Sequence, residues 1–145
     1  MQEIDIRGLD DAIKKLKKLE EKVQKKVARG TARAAAKPFV EEAKRRAPVK
    51  TGNLRKSIGI IAKRSKTPGI VRFWVGPRSG RHLKSDGFYG AFVEYGHQIK
   101  KDKKVVGTVS PKPFIRPAAE SALEKSINAA KKYFIDQVEK EIGKL

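Results

Sequence analysis

Two histidines, scattered carboxylates and no cysteine are all this chain offers for proton transfer or metal binding. His82 and Asp86 stand four residues apart, the spacing of one helical turn, which would suit a ligand pair or an acid–base pair. The surrounding Ser79-Gly80-Arg81 does not read as helical, so His82 and His97 are expected as exposed loop residues. Two scattered imidazoles without a carboxylate cluster do not make a zinc or catalytic metal site. The missing cysteine removes disulfides, thiolate chemistry and cysteine-based zinc binding together. Glu94 is a single acid among Phe92, Val93 and Tyr95. A general base there would need a second titrating residue and none is recognisable, so a structural ion pair with a nearby Arg or Lys is expected. Gly76-Pro77-Arg78-Ser79-Gly80-Arg81 invites comparison with a phosphate-cradling loop. It lacks the Gly-Lys-Ser/Thr ending and no apolar helix follows directly, so a nucleotide site is excluded. No catalytic residue, cofactor site or metal site is expected, and the chain reads as a non-enzyme.

Charge is the chain's strongest bulk property. Lys and Arg number 35 against 16 Asp and Glu, a formal net charge of +19. Such an excess repels itself and attracts polyanions, whether nucleic acid or an acidic protein face. Candidate contacts are Arg78, Arg81 and Lys84 in one basic loop and Lys100, Lys101, Lys103 and Lys104 in another. Phe73 and Trp74 could offer stacking surfaces for bases. Adjacent residues of a strand face opposite ways, so core or subunit-interface packing is the expected role for both. The first six residues carry no secretory signature. No apolar run approaches the ~20 residues that span a bilayer, so a soluble protein without membrane contact is expected.

The elements that position these residues follow from periodicity. One domain is expected over residues 1–145. Residues 2–7 alternate polar and apolar, as in a short strand. Leu9, Ile13, Leu16, Leu19, Val23 and Val27 recur at three and four, predicting one face of a long helix. The helix continues through Ala34, Ala35, Phe39 and Ala43, with a kink or restart at Pro38. It ends near Arg46, because Pro48 forces Ala47 out of helical geometry. Unbroken, such a rod would reach roughly 50 Å at ~1.5 Å per residue. Thr51 can cap a short turn through Leu54. Ile58–Ala62 and Ile70–Val75 read as paired strands about a Thr67-Pro68-Gly69 turn. Basic loops are expected near 76–88 and 97–111, with a short strand at Val105–Val109 within the second. Between them Tyr89–Tyr95 fits a short helix closed by Gly96. A terminal helix repeats Ala119, Leu123, Ile127, Ala130, Phe134, Val138 and Ile142 at three and four, the natural partner of the first rod.

Three punctuating segments carry a resemblance. Ala47-Pro48-Val49-Lys50-Thr51-Gly52-Asn53-Leu54 is followed by Arg55-Lys56-Ser57-Ile58, then by Tyr89-Gly90-Ala91-Phe92-Val93-Glu94-Tyr95-Gly96, and finally by Pro113-Phe114-Ile115-Arg116-Pro117-Ala118. In content and order they resemble the tailed-phage family of minor tail, or head–tail joining, proteins typified by gene product ten of phage HK-ninety-seven. The resemblance covers roughly residues 9 to 143. It implies an α+β fold in which a long kinked N-terminal helix and a C-terminal helix pack on a small, mostly antiparallel β-sheet. It also implies a virion protein, made in the bacterial host cytoplasm, forming a homo-oligomeric ring at the neck or proximal tail end. Neighbouring neck and tail proteins, and the passing DNA, would be its partners.

On that resemblance the motif residues are structural. Pro48, Thr51, Gly52 and Leu54 would set the helix-to-strand turn. Tyr89, Glu94 and Gly96 would anchor the middle segment, and Pro113, Phe114, Arg116 and Pro117 would dock the last helix. The alternative is a free-standing basic nucleic-acid-binding protein, whose isolated domain would bind tightly and lose affinity steeply with salt. A phage-encoded hydrolase finds no supporting constellation.

Overall fold

The computed structural model describes residues 8–80 and 87–145. Helices α1 (Leu9–Leu16) and α2 (Glu21–Arg46) lead through a short α3 (Asn53–Ser57) into strands β1 (Ile58–Lys63) and β2 (Arg72–Pro77). A second short helix, α4 (Gly90–Tyr95), precedes β3 (His97–Lys101) and β4 (Lys104–Val109), and α5 (Ile115–Ile142) closes the chain. The architecture is α+β, with long terminal helices packed on two separate antiparallel hairpins, β1–β2 and β3–β4. The strand expected at residues 2–7 lies outside the described residues.

The rod predicted from Leu9 to Arg46 is two helices. The interruption falls at residues 17–20 and not at Pro38, which lies inside α2. Lys18 and Leu19 turn back to the carbonyls of Lys15 and Leu16 at 3.1 and 3.0 Å, tightening the end of α1. Glu20 is extended, with ψ 147°, before α2 begins. The bend lets α1 bury Ala12 and seats Leu19 in the interior, while Ile13 from the predicted stripe is left partly exposed. Lys15 then reaches Glu139 of α5 at 2.6 Å. A proline costs its helix one hydrogen bond at Pro38, and packing along α5 holds α2 together across that point. The end of α2 is where Pro48 demands it: Ala47 has ψ 131°.

The contact between α2 and α5 is the most extensive between any two elements. From Ala36 onward along α2 the buried residues are small, Ala36 and Ala43 on α2 and Ala47 at its end, with Ala118, Ala122 and Ser126 on α5. A side chain at Gly30 would collide with the ring of Tyr133. Helices approach as closely as the side chains between them allow, and here those side chains are nearly absent. This explains a correction to the predicted α5 stripe. Ala119 and Leu123 face solvent, because the narrow seam admits Ala118 and Ala122 and has no room for a leucine. Farther along, where the helices are held by larger residues, Val138 is buried as its spacing predicts.

The first hairpin pairs Ile60 with Val75 and Ala62 with Phe73 on the face packed against α2. Trp74 lies on the other face, 60% exposed, under the Lys63 ammonium at 4.4 Å.

Candidate functional site and assembly face

The three motif segments are far apart in sequence and meet in space. Ala47, Leu54 and Ile58 from the first, and Phe114 and Ala118 from the third, form one buried cluster with Ala43. Tyr89 and Val93 from the second segment pack against it. Each segment contributes a turn and then an inward-facing apolar residue. In the first, the Asn53 amide donates to the Thr51 hydroxyl at 3.3 Å. Gly52 takes φ 82° as the residue before α3, and the Lys56 amide returns to its carbonyl at 3.0 Å. That left-handed conformation suits glycine, and it aims Leu54 into the cluster.

Glu94 joins the second segment to the third. Its Oε2 accepts from the amides of Phe114 at 2.7 Å and Ile115 at 3.0 Å, and its Oε1 accepts from the amide of Arg116 at 3.2 Å. Pro117 has no amide, and the Ala118 amide already donates to the Phe114 carbonyl. The free donors of the first turn of α5 are thereby all accounted for. The expected ion pair is replaced by a carboxylate cap supplied from a different helix, with the Arg116 charge adding attraction. Burial pushes the Glu94 carboxyl upward, but the three backbone donors and Arg116 outweigh it and hold it below the usual glutamate range. Gly96 follows with φ 72° and ψ 174°. A side chain there would lie 2.5 Å from the Val109 carbonyl oxygen and 2.9 Å from the Pro111 nitrogen, so only glycine lets the chain pass.

The region predicted as a basic loop near 97–111 is a hairpin. Asp102 and Lys103, with φ 48° and 66°, form its two-residue turn, and positive φ at both central residues matches the twist of the flanking strands. Val106 is an extra residue in β4, since Ile99 pairs with Gly107 but Lys100 with Val105. Every strand residue except Gly107 is exposed. Lys100, Lys101, Lys103 and Lys104 therefore surround its tip. Ile99, Val105, Val106 and Val109 add apolar surface along its length.

That surface adjoins α4, whose buried side holds Gly90 and Glu94 and whose outer side presents Phe92 and Tyr95. Tyr95 is 81% exposed and Phe88, just before α4, 69%. The Phe92 ring lies 5.3 Å from that of His97, linking helix to hairpin. A cleft of about 370 Å³ separates α4 from the end of β2 and the start of α5, with Phe88, Tyr95 and Arg116 among its walls.

Of the remaining motif residues, Pro48 and Pro117 are half-buried, while the side chains of Pro113 and Arg116 are exposed. Arg78 is tied into the fold: its Nε donates to the Ser57 carbonyl at 3.0 Å. Arg81, Lys84, His82 and Asp86 lie outside the described residues. Among the described residues no three His, Cys, Asp or Glu side chains converge on a metal-sized site. No helix among them is long and apolar enough to cross a membrane. The strand expected at Val105–Val109 is present as β4, and the short helix expected at Tyr89–Tyr95 as α4. What sequence reasoning missed is β3 and its pairing with β4, and that the aromatic side of α4 stays exposed. Ile99, facing that β-branched run across Asp102-Lys103, is the signal that could have revealed the partner strand.

Comparison with curated proteins finds no match, and comparison with solved structures finds none either. A protein-family model does match, over residues 10–96, described as "Bacteriophage HK97-gp10, putative tail-component". The matched range begins in α1 and ends at Gly96, so it takes in the first two motif segments and the helix that carries Glu94. The third segment lies beyond it and is bonded to it through that carboxylate. Spanning more than half of the sequence, this match establishes that the chain belongs to the bacteriophage HK97-gp10 family of tail components.

Proposed function

We propose that this chain is a non-enzymatic virion assembly protein, one subunit of a homo-oligomeric ring at the head–tail junction or the proximal end of the tail. The observation that supports this reading is the apolar face of α4 and the β3–β4 hairpin. Phe88, Phe92 and Tyr95 stand exposed on and next to α4, and Ile99 and Val109 lie on the ribbon face of His97, whose ring meets that of Phe92. Exposed apolar surface of this kind marks an interaction site. A two-stranded hairpin is marginal in water by itself, so a ribbon this exposed gains most when a neighbour covers it. The capped junction beneath supplies a rigid base. Stable subunit contacts typically bury about 1,200–2,000 Å² in total, and the α4–hairpin face provides part of such a patch. Neighbouring neck and tail proteins complete the partners, with the lysine-rich tip reaching beyond the subunit.

Removal of Lys100–Lys104 tests this division of labour. The tip bears little of the fold, so the shortened chain is expected to unfold within about 0.5 kcal/mol of the intact one. Phage carrying it should fail at joining heads to tails. Collapse of the isolated domain in a thermal melt would show instead that the tip is part of the fold.

A further inference from the structure

The carboxylates of this chain are placed very unevenly. None occurs in residues 22–40 or 43–85, the stretches that hold most of α2 and all of α3, β1 and β2. The ion pairs among the described residues gather elsewhere. Asp11 and Glu139 pair with Lys15, Glu21 with Lys25, Glu42 with Arg45 and Arg46, and Glu141 with Lys26 and Lys144. Where α2 crosses the turn end of the first hairpin the structure instead forms a cleft of about 220 Å³. Arg29 and Arg33, one turn apart on α2, form one wall, and Ala62 and Phe73 lie across from them. Lys63 and Arg72, direct cross-strand partners, close the end. Like charges directly opposite on a hairpin are destabilising, and among the described residues no carboxylate pairs with either.

The cations are also backed by rings. The Arg33 guanidinium lies 5.7 Å from the Phe73 ring centre. Lys63 covers the exposed Trp74 on the reverse face, so positive charge wraps the hairpin end on both sides. Folding alone gives no reason to collect unopposed cations here.

We propose that this cleft and the hairpin end beside it bind the phosphodiester backbone of nucleic acid, Arg29 and Arg33 making the contact on the α2 side and Lys63 and Arg72 on the outer face of the hairpin. An acidic protein face would also complement this charge, but the exposed Trp74 ring beside the cations is a stacking surface that only nucleic acid uses. A phosphate backbone is a continuous polyanion, and cations of one sign beside an aromatic platform are what it requires. The site is separate from the lysine-rich hairpin tip and from the α4 face. It does not depend on where the protein sits in the particle, so it and the assembly reading can fail separately.

The test is fluorescence anisotropy of the full-length chain with a labelled 30-base-pair DNA duplex, across a salt series. Arg33→Glu/Arg72→Glu is compared with Lys100→Glu/Lys103→Glu, which changes net charge by the same amount at the hairpin tip. The cleft variant should lose at least tenfold in affinity. Its slope of log affinity against log salt should flatten by about 0.9 for each phosphate that is no longer neutralised. The tip variant should lose less than threefold. Equal losses in both would reduce the effect to net charge and overturn the proposal. So would displacement of the duplex by polyglutamate as readily as by unlabelled DNA at equal charge, or an absence of binding at low salt. Should the double variant melt early, Arg29→Gln/Arg33→Gln, on the exposed side of one helix, carries the same expectation of reduced affinity.

Discussion

Replacing Phe114 by alanine is expected to cost about 3–5 kcal/mol, the range for truncating a fully buried aromatic side chain. Phe114 is the largest of the side chains wholly removed from solvent. It is also where the third motif segment enters the cluster formed by Ala43, Ala47, Leu54 and Ile58. Alanine would leave a void bounded by residues from α2, α3, β1 and α5, elements that cannot all move inward together. Single domains are commonly stable by only about 5–15 kcal/mol, so much of the total is at stake. Urea unfolding of the variant should show a lower midpoint with an unchanged slope. Tyr95→Ala is the counterpart. Its ring is 81% exposed, so the same measurement should move by no more than about 0.5 kcal/mol, while assembly suffers. Equal destabilisation by the two substitutions would remove the distinction between junction and interface.

The second large effect belongs to Glu94. Glutamine keeps the size of the side chain but replaces one of its two acceptor oxygens with a donor that faces the backbone amides of Phe114, Ile115 and Arg116. Hydrogen bonds to a charged group contribute about 1.5–3 kcal/mol, and the carboxylate also complements the positive end of α5. Glu94→Gln is therefore expected to destabilise by about 1–3 kcal/mol at neutral pH. The pH dependence has a definite sign. The carboxyl is held below its usual value in the folded chain. Its contribution is then fully present above the unfolded value, about 4.3, and is lost as pH falls through the lower folded value. Thermal melts of the two proteins should differ by several degrees at pH 7 and converge in acid. A gap that persists undiminished to the lowest pH would show that the lost interaction was not that of an ionised cap.

Several of these features are legible in the residues alone. Pro48 ends α2 at Ala47 for a purely local reason, and the apolar, β-branched runs about Thr67-Pro68-Gly69 are legible as the first hairpin, whose register only the structure supplies. Glu94 is conspicuous as an acid among aromatics, yet its partners are backbone amides some twenty residues on, and no spacing rule names them. The break at residues 17–20 contains neither Gly nor Pro. It follows from packing α1 against α5, so sequence punctuation pointed to Pro38 in its place. Leu123 reads as core by period, but only the small side chains beside it fit the seam between α2 and α5. In the second hairpin Val105–Val109 is legible as a strand, but its partner β3 is mostly polar and the turn is Asp102-Lys103 without a glycine. The cationic cleft brings together α2 and two strands, so its members are neighbours only after folding. The carboxylate-free stretches that feed it can be read directly from the chain.

The chain belongs to a family of phage tail components, and the proposal that it joins heads to tails is tested most directly on the particles themselves. Electron microscopy would compare lysates of the phage lacking this gene with the same phage complemented by it. The expected picture is DNA-filled heads beside unattached or malformed tails, restored to whole virions by the intact chain. Normal, complete particles in the absence of the protein would contradict a joining role, and would shift the chain to binding nucleic acid on its own.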